Sequence, residues 1–75
     1  MKLEVLGSGC AKCKTLYENT KAAVERLGNG AEVVKVEDIR TIMGYGVLST
    51  PALVKDGQVL FSGRLATADE IAGML

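Results

Sequence analysis

Histidine and tryptophan are absent from this 75-residue chain, proline occurs once, and cysteine occurs twice. Two cysteines and no histidine cannot close a structural zinc site, which wants four such ligands, unless two chains share one. The only aromatics are Tyr17, Tyr45 and Phe61, so the core must come from Leu, Ile, Val, Ala and Met. Charge of either sign is not in excess: nine basic and nine acidic residues cancel. With no basic stripe to collect phosphates, nucleic acid is a poor partner. No apolar run approaches the roughly 20 residues needed to cross a bilayer, so no membrane association is expected. The opening Met-Lys-Leu-Glu-Val enters structure at once and lacks the apolar centre of a signal peptide, which points to a cytoplasmic protein.

What remains is an ordinary globular composition, 48% hydrophobic and 24% charged, in a length that suits one domain over residues 1–75. A domain this small buries only about 60% of the surface its unfolded chain exposes, so its core is thin.

The pattern along the chain reads βαβαββα. Lys2 to Leu6 is a strand, stopped by Gly7-Ser8-Gly9. From Ala11 the period turns helical, with Cys13, Leu16, Tyr17, Thr20, Ala23, Val24 and Leu27 on one face. Gly28-Asn29-Gly30 ends that helix. Ala31 to Val36 is a β-branched second strand. Asp38 caps a short helix with Ile39, Ile42 and Met43 on its buried side. Ala52 to Lys55 and Gln58 to Ser62 form a hairpin around Asp56-Gly57. Thr67 and Glu70 have capping-box spacing before a last helix that buries Ile71, Met74 and Leu75. The expected fold is α/β: a four-stranded mixed sheet flanked by helices, its first β-α-β unit a parallel crossover.

The chemistry concentrates at Cys10-Ala11-Lys12-Cys13. A disulfide closing two residues constrains the unfolded chain very little, and in a reducing compartment such a pair is catalytic or metal-binding more often than structural. Cys10 stands at the start of the first helix, where unpaired N–H groups, the helix dipole and the cations Lys12 and Lys14 favour a thiolate. Cys10 is the expected nucleophile. Cys13, one turn on and on the apolar face, is the expected resolving thiol, and the two pair as the Cys10–Cys13 disulfide. Met43 and Met74 read as core fillers. Lys35, Glu37, Asp38 and Arg40 read as a mixed solvated surface, and Tyr45 as an aromatic packed on Gly44 and Gly46 or bordering the site.

These features together resemble the thioredoxin-like superfamily, and within it the group of small redox-active disulfide proteins. The resemblance is carried by C-x-x-C after the first strand, Thr50-Pro51-Ala52 before the third, the Asp56-Gly57 turn and Gly63 before the last helix. The strings from Gly7 to Cys13 and from Tyr45 to Val54 are similar to that group in particular. The resemblance implies a cis Pro51 facing the C-x-x-C loop, with the Thr50 backbone pairing with the substrate peptide. It also makes Glu4, six residues before Cys10, a candidate base for Cys13; the plainer alternative is a solvated strand residue paired with a lysine. Gly9 and Ala11-Lys12 stand where thioredoxins carry Trp and Gly-Pro, and Gly63 to Thr67 lacks the paired glycines with which glutaredoxins hold glutathione.

The implied activity is a monomeric thiol–disulfide oxidoreductase that needs no cofactor. It would exchange with protein disulfides or dithiols and be reduced in turn by an upstream thiol. Two alternatives stay open at this level. A Cu(I) carrier of the heavy-metal-associated type also places C-x-x-C between its first strand and helix, though in the order βαββαβ and usually with Met where Ser8 stands. A redox sensor with the same fold would use the same dithiol without turnover.

Overall fold

A computed structural model describes residues 1–9 and 11–75; Cys10 lies outside the described residues. Among the described residues, seven elements run in the order β1 (Lys2–Leu6), α1 (Ala11–Leu27), β2 (Glu32–Val36), α2 (Ile39–Gly44), β3 (Ala52–Lys55), β4 (Gln58–Ser62) and α3 (Ala68–Met74). The strands form one sheet in the order β2-β1-β3-β4. β1 pairs in parallel with β2, Leu6 opposite Val36, and antiparallel with β3, Leu6 opposite Ala52. The expected mixed sheet and parallel first unit are both present. β1 is central, so the chain leaving its last residue is flanked by a strand on each side.

Alternation along the strands divides the core in two. Leu3, Val5 and Leu53 face α1 and α3, where they pack with Leu16, Ala23, Ala66 and Ile71. Leu6, Ala52 and Val54 face the other way and pack with Ile42. Thr20 is fully buried in α1, and its hydroxyl donates to Leu16 O at 2.7 Å, which removes the cost of an unpaired polar group. The Asn19 amide donates to Ala66 O at 2.9 Å and ties α1 to the segment entering α3.

The end signals work as their chemistry dictates. Asp38 accepts from Arg40 N and, through its other oxygen, from Thr41 Oγ1 at 2.9 Å. Thr67 Oγ1 accepts from Glu70 N at 3.1 Å while Glu70 Oε1 accepts from Thr67 N at 3.0 Å, a complete capping box. Asp56 and Gly57 both have positive φ, 48° and 85°, as a type I′ two-residue hairpin requires.

One buried face departs from expectation. Of the three apolar residues on α2, only Ile42 is buried, at 3% exposure; Ile39 is 63% and Met43 69% exposed. α2 spans six residues and presents little more than one side chain to the sheet. Tyr45 and Val47, just beyond it, cover the rest of that surface beside Val36 and Val59. Met43 is therefore not a core filler. Leu27, at the last turn of α1, is also largely exposed.

Candidate functional site

The site is built at the end of the sheet where β1 stops. Gly7 N donates to Val36 O at 3.0 Å, carrying the β1–β2 ladder one residue past β1. α1 starts at Ala11, and Cys13 lies in its first turn, buried at 6% exposure on the same helix face as Leu16. Gly7 is what lets it lie there. A Cβ at Gly7 would overlap Cys13 Sγ and stand 3.0 Å from Cys13 Cβ. On its other side the same Cβ would meet Thr50 Cβ at 3.8 Å. Gly7 thus separates the helix bearing the second cysteine from the loop before β3, and its missing side chain sets how closely they approach. Sequence reasoning treated Gly7 only as a strand stop; its place after a central strand was the available signal.

The loop has its own support. The Thr50–Pro51 peptide is cis, Pro51 is buried and Thr50 is exposed. Pro51 O accepts from Gly63 N at 2.9 Å. Gly63 has φ +72°, and a Cβ there would lie 2.9 Å from Ser49 Cβ. The residue closing β4 therefore clasps the 49–51 segment, a packing role beyond that of a strand end.

Of the expected site residues, Cys13, Thr50 and Pro51 are brought together at this end of the sheet. Lys12 and Lys14 are exposed in the first turn of α1, which carries no acidic residue. Glu4 is elsewhere. It alternates with Leu3 and Val5 and so lies on the α2 face, opposite α1 and Cys13. Its carboxylate accepts from Tyr45 Oη at 2.7 Å. That bond raises the Tyr45 phenol above its ordinary 10.0, burial and the negative charge of Glu4 adding to the effect. Glu4 is neither a solvated residue paired with lysine nor close to the resolving cysteine. Tyr45 is its partner and, with Ile42, part of the cover of that sheet face.

A cleft of about 230 Å³ opens beside Cys13 on the α1 side. Gly7, Gly9, Lys14, Lys35 and Glu37 line it with the cysteine. The Lys35 ammonium lies 4.6 Å from the centre of the Tyr17 ring, which fixes its side chain over α1. Glu37 reaches towards Gly9: a Cβ on that glycine would be 3.0 Å from Glu37 Oε2. The 35–38 segment is more than a solvated charged surface, and the parallel β1–β2 pairing was the sequence signal that could have placed Glu37 near Gly9.

A central strand running into a helix that carries Cys13 in its first turn, with the Thr50–Pro51 loop that opens an antiparallel hairpin close by across Gly7, is the arrangement of a thioredoxin-like protein. Comparison with known proteins agrees: the family model described as thioredoxin domain matches residues 1–75, and this chain belongs to that family. A thioredoxin of Methanothermobacter thermautotrophicus is 37% identical over 75 residues, covering 100% of this chain and 97% of the relative. A thioredoxin of Methanocaldococcus jannaschii is 42% identical over 69 residues, covering 92% of this chain and 79% of the relative.

Proposed function

We propose that this chain is a small thiol–disulfide oxidoreductase acting on protein disulfides. The observation that carries the reading is the convergence, across Gly7, of buried Cys13 with the Thr50–Pro51 loop, in a chain matched along its whole length by the thioredoxin family. Cys10, as a thiolate, attacks one sulfur of the substrate disulfide and expels the other as a thiolate, leaving a mixed disulfide. Cys13 then attacks the Cys10 sulfur. The second substrate thiolate departs, the substrate has gained two electrons, and the Cys10–Cys13 disulfide holds the oxidising equivalents.

Lys12 supports the Cys10 thiolate by charge. Exposed Thr50 offers its backbone to an extended substrate peptide, as an added strand would use it. Pro51 has no N–H to compete for that peptide. An upstream dithiol returns the protein to the reduced form. The protein works as a cytoplasmic monomer, and no metal or organic cofactor enters the steps. The element order βαβαββα, ending in a capped helix, weighs against the metal-carrier reading.

Reduction of a model protein disulfide by dithiothreitol, with and without the protein, tests this. Cys10→Ser should abolish the acceleration, and reduced Cys13→Ser mixed with the disulfide in the absence of dithiothreitol should accumulate a mixed disulfide at Cys10 visible by mass. Full activity in Cys10→Ser would overturn the reading.

A further inference from the structure

Exchange of this kind needs a proton acceptor for Cys13, whose thiol must ionise to attack. Glu4 cannot reach it from the far face of the sheet. Asp38 is engaged by Arg40 N and Thr41 Oγ1 at the start of α2. The carboxylate among the described residues lining the cleft beside Cys13 is that of Glu37.

We propose that Glu37 accepts the Cys13 proton, through solvent in this cleft, as Cys13 attacks the mixed disulfide; the assignment rests on the exchange chemistry proposed above. Two observations converge on it. Leu6 pairs with Val36 and Gly7 N bonds Val36 O, so the backbone delivers Glu37 to the level of the Gly7–Gly9 segment. The carboxylate then lies against the open side of Gly9, in the lining of a cleft whose wall also includes Cys13. Its volume of about 230 Å³ has room for several waters. The charged groups facing this space are Lys14 from α1 and Lys35 from β2, with Lys12 exposed in the same first turn of α1 as Lys14. Both lining ammonium groups offset the negative charge that the thiol and Glu37 carry between them.

The step balances without an added reagent. The S–H bond of Cys13 breaks as its sulfur bonds to Cys10 Sγ, the proton passes to the Glu37 carboxylate, and the Cys10–substrate S–S bond breaks to release a thiolate. Glu37 then returns its proton to solvent or to that thiolate. Glu37 is exposed, so substituting it should leave the fold intact.

A symmetric aromatic disulfide with a chromophoric thiolate separates the two events under stopped flow. The first thiolate is released in a phase that depends on probe concentration, the second in a phase that does not. With Glu37→Gln the second phase should slow at least tenfold near neutral pH, within reach of the roughly 10²–10⁴-fold range of general base effects. The deficit should shrink as the pH rises and hydroxide takes the proton. The first phase should stay within twofold, and Glu37→Asp should recover part of the second. An unchanged second phase overturns the assignment, as does an equal slowing of both phases, which would mark a charge effect on Cys10. Absence of both phases in the unaltered protein would instead sink the exchange reading, and this assignment with it.

Discussion

Replacing Gly7 with alanine adds one methyl group where the second cysteine's helix and the Thr50 loop come closest. Gly7 has no positive φ, so alanine suits its backbone and the penalty is steric alone. The new Cβ would overlap Cys13 Sγ, and Cys13 Cβ, at 3.0 Å, leaves no room to turn the sulfur aside without moving α1. Overpacking of this kind costs about 1–3 kcal/mol, and the reduced freedom of the unfolded chain returns about 0.4–1 of it. The net loss is about 1–2 kcal/mol, which for a domain of this size lowers Tm by roughly 4–16 °C. Two other glycines serve as controls. Gly57 has φ +85° and open space around it, so Gly57→Ala should cost roughly 1–2 kcal/mol through backbone strain alone. Gly44, in α2, has neither a positive φ nor a close neighbour, and Gly44→Ala should stabilise by about 0.4–1 kcal/mol. Thermal unfolding of the reduced proteins by circular dichroism measures all three. A Tm for Gly7→Ala equal to or above that of the unaltered protein would refute the close approach of Cys13 to Gly7.

Ile42→Ala should lose about 2–5 kcal/mol in denaturant unfolding, while Met43→Ala, at an exposed position, should stay within about 0.5 kcal/mol. Tyr45 bonded to Glu4 has its phenol raised above 10.0, so the bond's contribution is complete below that value and is lost as pH rises through the folded-state value. Tyr45→Phe should be less stable than the unaltered protein up to about pH 10, and the gap should close at higher pH. Glu70 is held below its ordinary 4.5 first by the Thr67 backbone N–H, with the Thr67 hydroxyl and Arg64 acting in the same direction. Its contribution is present above 4.5 and lost as pH falls through the lowered value. Glu70→Gln should therefore be destabilised at neutral pH, and the difference should vanish in acid titrations followed by circular dichroism.

Most of the fold was legible because its signals are local. Alternation in Leu3-Glu4-Val5-Leu6, the caps Asp38 and Thr67, and the Asp56-Gly57 turn each act within a few residues. Element order was then readable too, since a strand, a helix and a second β-branched strand make a parallel crossover. The α2 stripe misled because periodicity reports which residues share a face, not whether the sheet has surface left for them. Tyr45 and Val47 had already covered it. Leu48 is fully exposed beside the Thr50–Pro51 loop, which hydropathy alone would not suggest. Glu4 could be placed in β1 from its spacing to Cys10, but its face depends on the phase of the strand. The same alternation that buries Leu3 and Val5 against α1 turns Glu4 away from Cys13. Gly7 and Glu37 owe their places to long-range pairing of β1 with β2, which spacing to the cysteines does not encode.

The central claim is that Cys10 and Cys13 form a reversible redox couple with unequal thiols. Thiol trapping of the purified protein across glutathione or dithiothreitol buffers, with Cys10 alkylation followed against pH, tests it most directly. A single two-electron transition between dithiol and intramolecular disulfide is the expected result. Cys10 should also become reactive well below the roughly 8.5 of a free thiol. Failure to form the Cys10–Cys13 disulfide in any buffer, or two thiols titrating together at the ordinary value, would contradict it.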